Sequence, residues 1–341
     1  MKRILATRFS AMGDVAMVAS VLREFQEQYQ DVEIIMVTRP FFAPFFDDIP
    51  SVKFHPIYPD QQHRGIKGLY TLFKELRAYK PDSVADLHDN LRSNTLCLFF
   101  KLYGYKVRQI DKGRAEKEAL TRPVNKIKKQ LKLTTERYAD VLRSLGFQFN
   151  LKHQLQKNKA ELPGSLQSHF QDDKKSLGIA PFAQHPYKVF SLERMEQVIA
   201  RLSDENLQIL IFGGGQKEKE IVETWSIKYP NVFNTIGRFN LKEELNIISN
   251  LDLMLSMDSS GMHMASLAGT RSLSVWGATH PYAGFLAYGQ SEDDCIQVEH
   301  PSRPSSVYGN KPCLCDGIEA IDLVTVDMVV AKIKQALKTS N

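Results

Sequence analysis

Short apolar runs alternate with longer stretches of helical apolar spacing along almost the whole chain. Residues 3–7, 32–37, 52–57, 83–87 and 106–110 read as strands. Between them, 15–29 places Val18, Val21, Leu22 and Phe25 at helical spacing. Stretches 69–79 and 92–102 do the same, and 134–145 stops at Gly146, a typical helix end. A polar stretch, 148–175, interrupted by Pro163 and Gly164, follows. The alternation then resumes, with strands at 176–180, 207–212, 232–236, 251–256 and 272–276. The helices of this half fall at 192–202, 217–229, 242–249 and 262–268, and a last amphipathic helix carries Val329, Val330, Ile333 and Leu337 on one side. Two alternating halves about a polar joint predict an α/β protein of two doubly wound domains facing each other across a cleft.

The length, 341 residues, suits two domains, and 43% hydrophobic residues can fill two cores. The net charge of +5 is modest, but lysine and arginine crowd into 101–137. That stretch is either a basic surface for an anionic partner or a solvated helix face with a loop. Aromatic residues do not interleave with it as base stacking needs, so nucleic acid is set aside as a partner. The four cysteines, Cys97, Cys295, Cys313 and Cys315, form no pair of C-x-x-C units, which argues against zinc and for a reducing compartment. Arg8 and Asp14 interrupt the apolar N-terminal residues, so a signal-peptide core is lacking. No apolar run has the length of a membrane-spanning helix. The expectation is a cytoplasmic protein.

Five segments carry candidate chemistry. In 253–281 an apolar strand stops at Asp258, a turn of Ser259, Ser260 and Gly261 opens a helix at Met262 and His263, and a second strand ends at Gly277. Backbone N–H groups at such a helix start suit phosphate oxygens, so a nucleotide or nucleotide-sugar site is expected there. The turn Ser10-Ala11-Met12-Gly13-Asp14 lies between the first strand and the first helix. Asp14 reads there either as a helix cap or as a general base. Lys188, after the first strand of the second half, is either a surface lysine or a group that neutralises a diphosphate. Gly213, Gly214 and Gly215 follow a buried strand but match no Walker or dinucleotide fingerprint. In 86–93, Arg92 either holds an anionic acceptor or is solvated beside a cap at Asp89 or Asn90.

Together these pieces resemble glycosyltransferase family 9, the lipopolysaccharide heptosyltransferases, over nearly the whole chain. The family's S-x-x-G-D turn is matched by Ser10 to Asp14, its "RS" helix start by Arg92-Ser93, and its K-x-W/F pair by Lys188 and Phe190. The D-[ST]-x-x-M-H-[LM]-A stretch is matched by Asp258 to Ala265, and the G-x-T-x-P turn by Gly277 to Pro281. The chain departs from the pattern at Ala183 to His185, where Ser or Thr is common, at His280, where Asp is common, and at Gly261, where many members have Pro.

The resemblance implies the GT-B architecture, with two Rossmann-like domains. An acceptor domain would span 1–165 and a nucleotide-sugar domain 175–325, with helix 326–341 packing back on the first. It implies inverting transfer, without metal or other cofactor, of a heptose from ADP-heptose to an anionic lipopolysaccharide-core or lipid A-linked acceptor. Asp14 would be the base and Lys188 the support of the leaving diphosphate. Asp258, Ser259, Ser260, Gly261, Met262, His263, Thr279, Gly213 and Gly214 would hold the donor, and Ser10, Gly13 and Arg92 the acceptor. The basic stretch 101–137 would meet the cytoplasmic face of the inner membrane. Two other readings suit the same architecture: a nucleotide-sugar 2-epimerase, and a binding relative without turnover.

Overall fold

A computed structural model describes residues 1–170, 174–203 and 205–339. The chain forms two compact units, one of Met1–Arg114 and Lys132–Lys152, the other of Ala115–Leu131 and 153 onward. In chain order the elements are β1 (Lys2–Thr7), α1 (Met12–Gln28), β2 (Val32–Thr38), β3 (Val52–Pro56), α2 (Gly65–Arg77), β4 (Ser83–Asp86), α3 (Leu91–Leu102), β5 (Lys106–Gln109), α4 (Arg114–Thr121) and α5 (Thr134–Leu145). There follow β6 (Lys175–Ala180), α6 (Leu192–Leu202), β7 (Leu207–Ile211), α7 (Gln216–Lys228), β8 (Val232–Asn234), α8 (Leu241–Asn250), β9 (Leu253–Met257), α9 (Ser260–Leu267), β10 (Ser272–Val275), β11 (Cys295–Ile296) and α10 (Val326–Thr339).

The first unit is a parallel sheet in the order β3-β2-β1-β4-β5. All seven residues of β2 are buried, which is why it reads as an unbroken apolar run instead of an alternating one. The strand order reverses between β1 and β4, whose ends are level: Thr7 stands opposite Asp86. Helix α5 packs on α1 and ends at Gly146 in the left-handed conformation, φ 110°, as its glycine predicts.

The second unit is a parallel sheet in the order β11-β10-β9-β6-β7-β8, reversing between β6 and β9. Read from its own first strand, this is the same winding as the first sheet with one strand more. Its core gathers Leu177, Ile179, Ile209, Leu253, Leu255 and Val275 from the strands with Met195, Val198 and Trp225 from the helices.

The border between units differs from the sequence expectation in three places. Residues 115–131 leave the first unit: Leu120 and Leu131 are buried with Ala283, against Tyr282, Phe285 and Val307. The turn of chain that carries them includes α4, eight residues with only Lys117 and Leu120 buried, too short and polar to show apolar periodicity. The polar stretch beyond 152 belongs to the second unit, held by hydrogen bonds such as Ala160 N–H to Ser249 Oγ (3.1 Å) and Asn246 Nδ2 to Glu161 O (3.0 Å). Finally, α10 packs on α6, and its Val329, Val330, Ile333 and Ala336 complete the core of the second sheet. The apolar stripe was legible, but its target was not, because amphipathicity says that a helix is covered and not by what.

Candidate active site

In open α/β sheets, ligands meet the loops at the carboxyl ends of the strands where the strand order reverses. In the first unit these are the loops after β1 and β4. Asp86 ends β4 and is fully buried. It accepts from the Thr7 hydroxyl (3.0 Å), the backbone N–H of His88 (3.0 Å) and Asp89 (3.2 Å), the Ser93 hydroxyl (3.0 Å) and the Gln109 amide (3.1 Å). So many donors make it an anchor for loop 86–93. Asn90 and Ser93 then start α3 with reciprocal capping bonds. His88 accepts the Phe9 N–H at Nδ1 (3.2 Å), tying the two loops together. Burial, reinforced by Arg8 and Lys112, pulls its pKa to about 3, so it stays neutral.

Asp14 sits in the first turn of α1. Its Oδ2 lies 2.5 Å from Arg8 Nη2, and its Oδ1 accepts the Tyr138 phenol at 2.9 Å. Tyr138 projects from α5 and is wholly buried; burial pushes its pKa well above the ordinary value, so it keeps its proton and donates it. Arg8 is held in turn by the Leu87 carbonyl at 2.9 Å. Within the Arg8–Asp14 pair the cation is the more enclosed side chain, 8% exposed against 23% for the carboxylate. Ser10 and Gly13 are half-buried beside it. Arg92 is exposed, 3.8 Å from Asp60 Oδ1, and Lys112 and Arg114 reach Asp89, the former through its carbonyl (3.1 Å) and the latter through its carboxylate (2.5 Å).

In the second unit the corresponding loops follow β6 and β9. Lys188 closes a short turn begun by Pro186, and its Nζ lies 2.9 Å from Asp258 Oδ2, just past β9. Here the carboxylate is the enclosed partner, 6% exposed against 16% for the lysine. The Lys188 stem is packed by Gly309, at φ +75°, where a Cβ would fall 2.4 Å from Lys188 Cγ. Ser259 precedes α9 without a side-chain bond onto it. At Gly261 a Cβ would meet Ala180 Cβ at 2.6 Å and Ser256 Oγ at 2.7 Å, so α9 reaches the sheet only because this position is glycine. Met262 and His263 are buried on the same helix.

Loop 276–280 closes this edge. Ala278 N–H donates to Tyr187 O at 3.2 Å, joining it to the Lys188 loop. The wholly buried Arg303 pins it from behind, donating to the carbonyls of Gly277 (2.6 Å), Thr279 (2.8 Å) and Val298 (2.5 Å) and to Gln297 Oε1 (3.0 Å). His280 accepts Tyr282 N–H at Nδ1 (3.1 Å) and turns Nε2 to Glu299 (3.0 Å). Burial pulls its pKa to about 4 against the opposing pull of Glu299, so it is a neutral framework residue. Thr279 is buried and its hydroxyl has no hydrogen-bond partner among the described residues. In the glycine turn, Gly214 N–H donates to Glu218 Oε2 at 2.7 Å, and a Cβ at Gly213 would meet that same oxygen at 2.7 Å. A carboxylate thus occupies the amide that the sequence suggested for a donor.

Residues 69–311, more than half of the chain, match the model of "Glycosyltransferase family 9 (heptosyltransferase)". The chain belongs to glycosyltransferase family 9. It is therefore an enzyme of the glycosyltransferase class. Among curated relatives, the Haemophilus influenzae lipopolysaccharide core heptosyltransferase OpsX is 25% identical over 82% of this chain and 80% of its own. The Campylobacter coli lipopolysaccharide heptosyltransferase 1 is 23% identical over 82% of this chain and 85% of its own. A family 9 glycosyltransferase from Veillonella parvula has a TM-score of 0.75 at 18% identity, covering 99% of this chain and 98% of its own. The fold is accordingly GT-B, built of two Rossmann-like domains.

Sequence reasoning placed Asp14 and Arg92 at helix starts that follow strands, and Lys188, Asp258 and Thr279 in turns that follow strands, and the structure has them in those elements. It missed Arg8 as the partner of Asp14, and it missed Tyr138, Arg303 and Gly309 altogether. The basic stretch 101–137 is not one surface. Arg137 is buried, Lys117 lies over the Phe285 ring at 4.2 Å, Lys126 donates to Pro304 O at 2.7 Å, and Lys128 pairs with Glu299. These four cations are turned to contacts within the chain instead of to one shared face. No helix among the described residues is long and apolar enough to cross a membrane.

Proposed function

We propose that this family 9 enzyme transfers a heptose, with inversion and without a metal ion, from ADP-heptose to an anionic, lipid-linked lipopolysaccharide-core acceptor. The donor class rests on membership of a family described as heptosyltransferase and on the Escherichia coli ADP-heptose heptosyltransferase II sharing the fold at TM-score 0.70 and 19% identity. The observation that carries the division of labour is the exposure of the two ion pairs. In the first unit a buried cation backs a more open carboxylate, and in the second a buried carboxylate backs a more open ammonium.

The acceptor hydroxyl attacks the anomeric carbon as the bond from that carbon to the diphosphate oxygen breaks. Asp14, with both carboxylate oxygens oriented by Arg8 and Tyr138, takes the hydroxyl proton. Lys188 meets the charge that grows on the departing diphosphate, and Asp258 keeps the ammonium in place. Ser259, Ser260, Gly261, Met262 and His263 hold the donor at the start of α9, and the unpartnered Thr279 hydroxyl serves the nucleotide side. Gly213 and Gly214 bound the donor side near Glu218, while Ser10, Gly13 and Arg92 bound the acceptor. Arg92 takes an anionic group of that acceptor.

Thermal-shift measurement against ADP, UDP, GDP and CDP tests the donor class, with ADP expected to stabilise most. Stabilisation by UDP and not ADP would overturn the heptose reading. Incubation with ADP-heptose alone should return no epimer.

A further inference from the structure

Helices α2 and α3 carry large apolar side chains on both sides. Inward, Leu69, Leu72 and Phe73 of α2 and Leu96 and Phe100 of α3 join the core of the first unit. Outward, Ile66 and Tyr70 of α2, Leu91, Leu98 and Leu102 of α3, and Tyr103 are exposed, Ile66 at 72% and Leu102 at 73%. These six stand among the fourteen large hydrophobic side chains exposed in the described residues, so they are gathered within one short part of the chain. Positions 91, 98 and 102 fall on one helical stripe. The Tyr70 ring of α2 lies 5.6 Å from Phe99 of α3 and the Tyr103 ring lies 4.9 Å from Phe73 of α2, so both exposed tyrosines stand where the two helices meet. The outer face of a surface helix is ordinarily polar, and a contiguous exposed apolar patch marks a partner.

The charges around the patch say which partner. The two helices carry Lys67, Lys74, Arg77, Arg92 and Lys101 against a single acid, Glu75. Glu75 is turned to His55 and His63, each at 3.2 Å. Lys74 and Arg77 sit over the Tyr70 and Tyr103 rings, at 5.6 Å and 4.5 Å. We propose that this face docks the enzyme on an anionic lipid bilayer. Ile66, Tyr70, Leu98, Leu102 and Tyr103 enter the boundary between headgroups and acyl chains, and Lys67, Lys74, Arg77 and Lys101 meet lipid phosphates. A second copy of the chain is a poorer occupant, since a two-fold self-contact would set these cations against their own images. The purpose of the docking rests on the reading of a lipid-linked acceptor, which it deepens by naming the surface that meets the membrane.

The test is co-sedimentation of the full-length enzyme with phosphatidylethanolamine–phosphatidylglycerol vesicles, without donor or acceptor, beside pure phosphatidylcholine vesicles. Binding is expected to the anionic vesicles and to weaken with added salt. Leu98→Ser/Leu102→Ser should lower the vesicle-bound fraction about tenfold or more, and Lys74→Glu/Arg77→Glu should do likewise, with thermal unfolding and ADP affinity unchanged in both. The idea is overturned if the wild type ignores anionic vesicles, if the surface variants still bind as the wild type does, or if Leu98→Ser/Leu102→Ser only breaks a dimer. ADP affinity is read on the same samples, so a failure of the transfer reading would show there and not in the sediment.

Discussion

The two sheets of this enzyme share a winding order yet deliver opposite charges at the point where that order reverses. After β1 the chain presents Arg8 and Asp14; after β6 and β9 it presents Lys188 and Asp258. In the first pair the arginine is sunk and the carboxylate left open, while in the second the carboxylate is sunk and the lysine left open. One topology therefore presents either an open carboxylate or an open cation, according to which partner is enclosed. The cation of each pair also has further support. Arg8 is held by Leu87 O, and the Lys188 stem lies against Gly309.

Breaking the first pair on its open side should have the largest effect. Asp14→Asn is expected to lower kcat by about 10²–10⁴-fold, the range for losing a general base, while calorimetric ADP affinity stays within error of wild type. Near-normal turnover would remove Asp14 from the role. On the second pair, Lys188→Ala should lower kcat by about 10²–10³-fold and, unlike the first variant, weaken ADP binding. It should also destabilise the fold by about 3 kcal/mol in urea titration, because Asp258 is left buried without its partner. Unchanged ADP affinity would count against the assignment.

The framework histidines sharpen the comparison through pH. His88 in the first unit and His280 in the second both have pKa values held below the unfolded value, at about 3 and about 4. The unfolded chain therefore binds protons that the folded one refuses, and the stability due to these groups is fully present above about pH 6.5 and falls as the pH drops from there. Urea midpoints should decline between pH 7 and pH 4.5, as about expected for neutral buried imidazoles, and His280→Gln should lessen the slope. An identical slope in that variant would show His280 protonated freely in the fold. The smallest effect is expected at Tyr138. Tyr138→Phe removes one donor from Asp14, should raise the carboxylate pKa, and should shift the acid limb of the kcat profile upward with roughly a tenfold loss near that limb. A loss that is uniform across pH would make Tyr138 merely structural.

Much of this was legible from the chain and some was not, for definable reasons. The strand–helix alternation, the helix end at Gly146 and the turn at Asp258 to Gly261 depend on neighbours in sequence, and they stand out as pattern. Tyr138 lies far along the chain from Asp14, and nothing local marks a tyrosine in an amphipathic helix as a hydrogen-bond donor to a loop. Arg303 is a lone arginine in a proline-rich stretch, and only the carbonyls of the loop it pins give it meaning. In the glycine turn at 213–215, the bond from the Gly214 amide to Glu218 was not legible, because the glycines alone do not say which group meets their amides. Gly261, which departs from the family pattern, is explained by the closeness of Ala180.

The path of residues 115–131 has a practical consequence for anyone dividing this enzyme. The backbone changes unit after Arg114, again after Leu131 and a third time after Lys152. A cut through the polar stretch would part the second unit from Leu120 and Leu131, and so from the plug against Ala283. An excised C-terminal fragment would need that segment returned as a separate peptide, or spliced to its front, before it could be expected to fill its own interior.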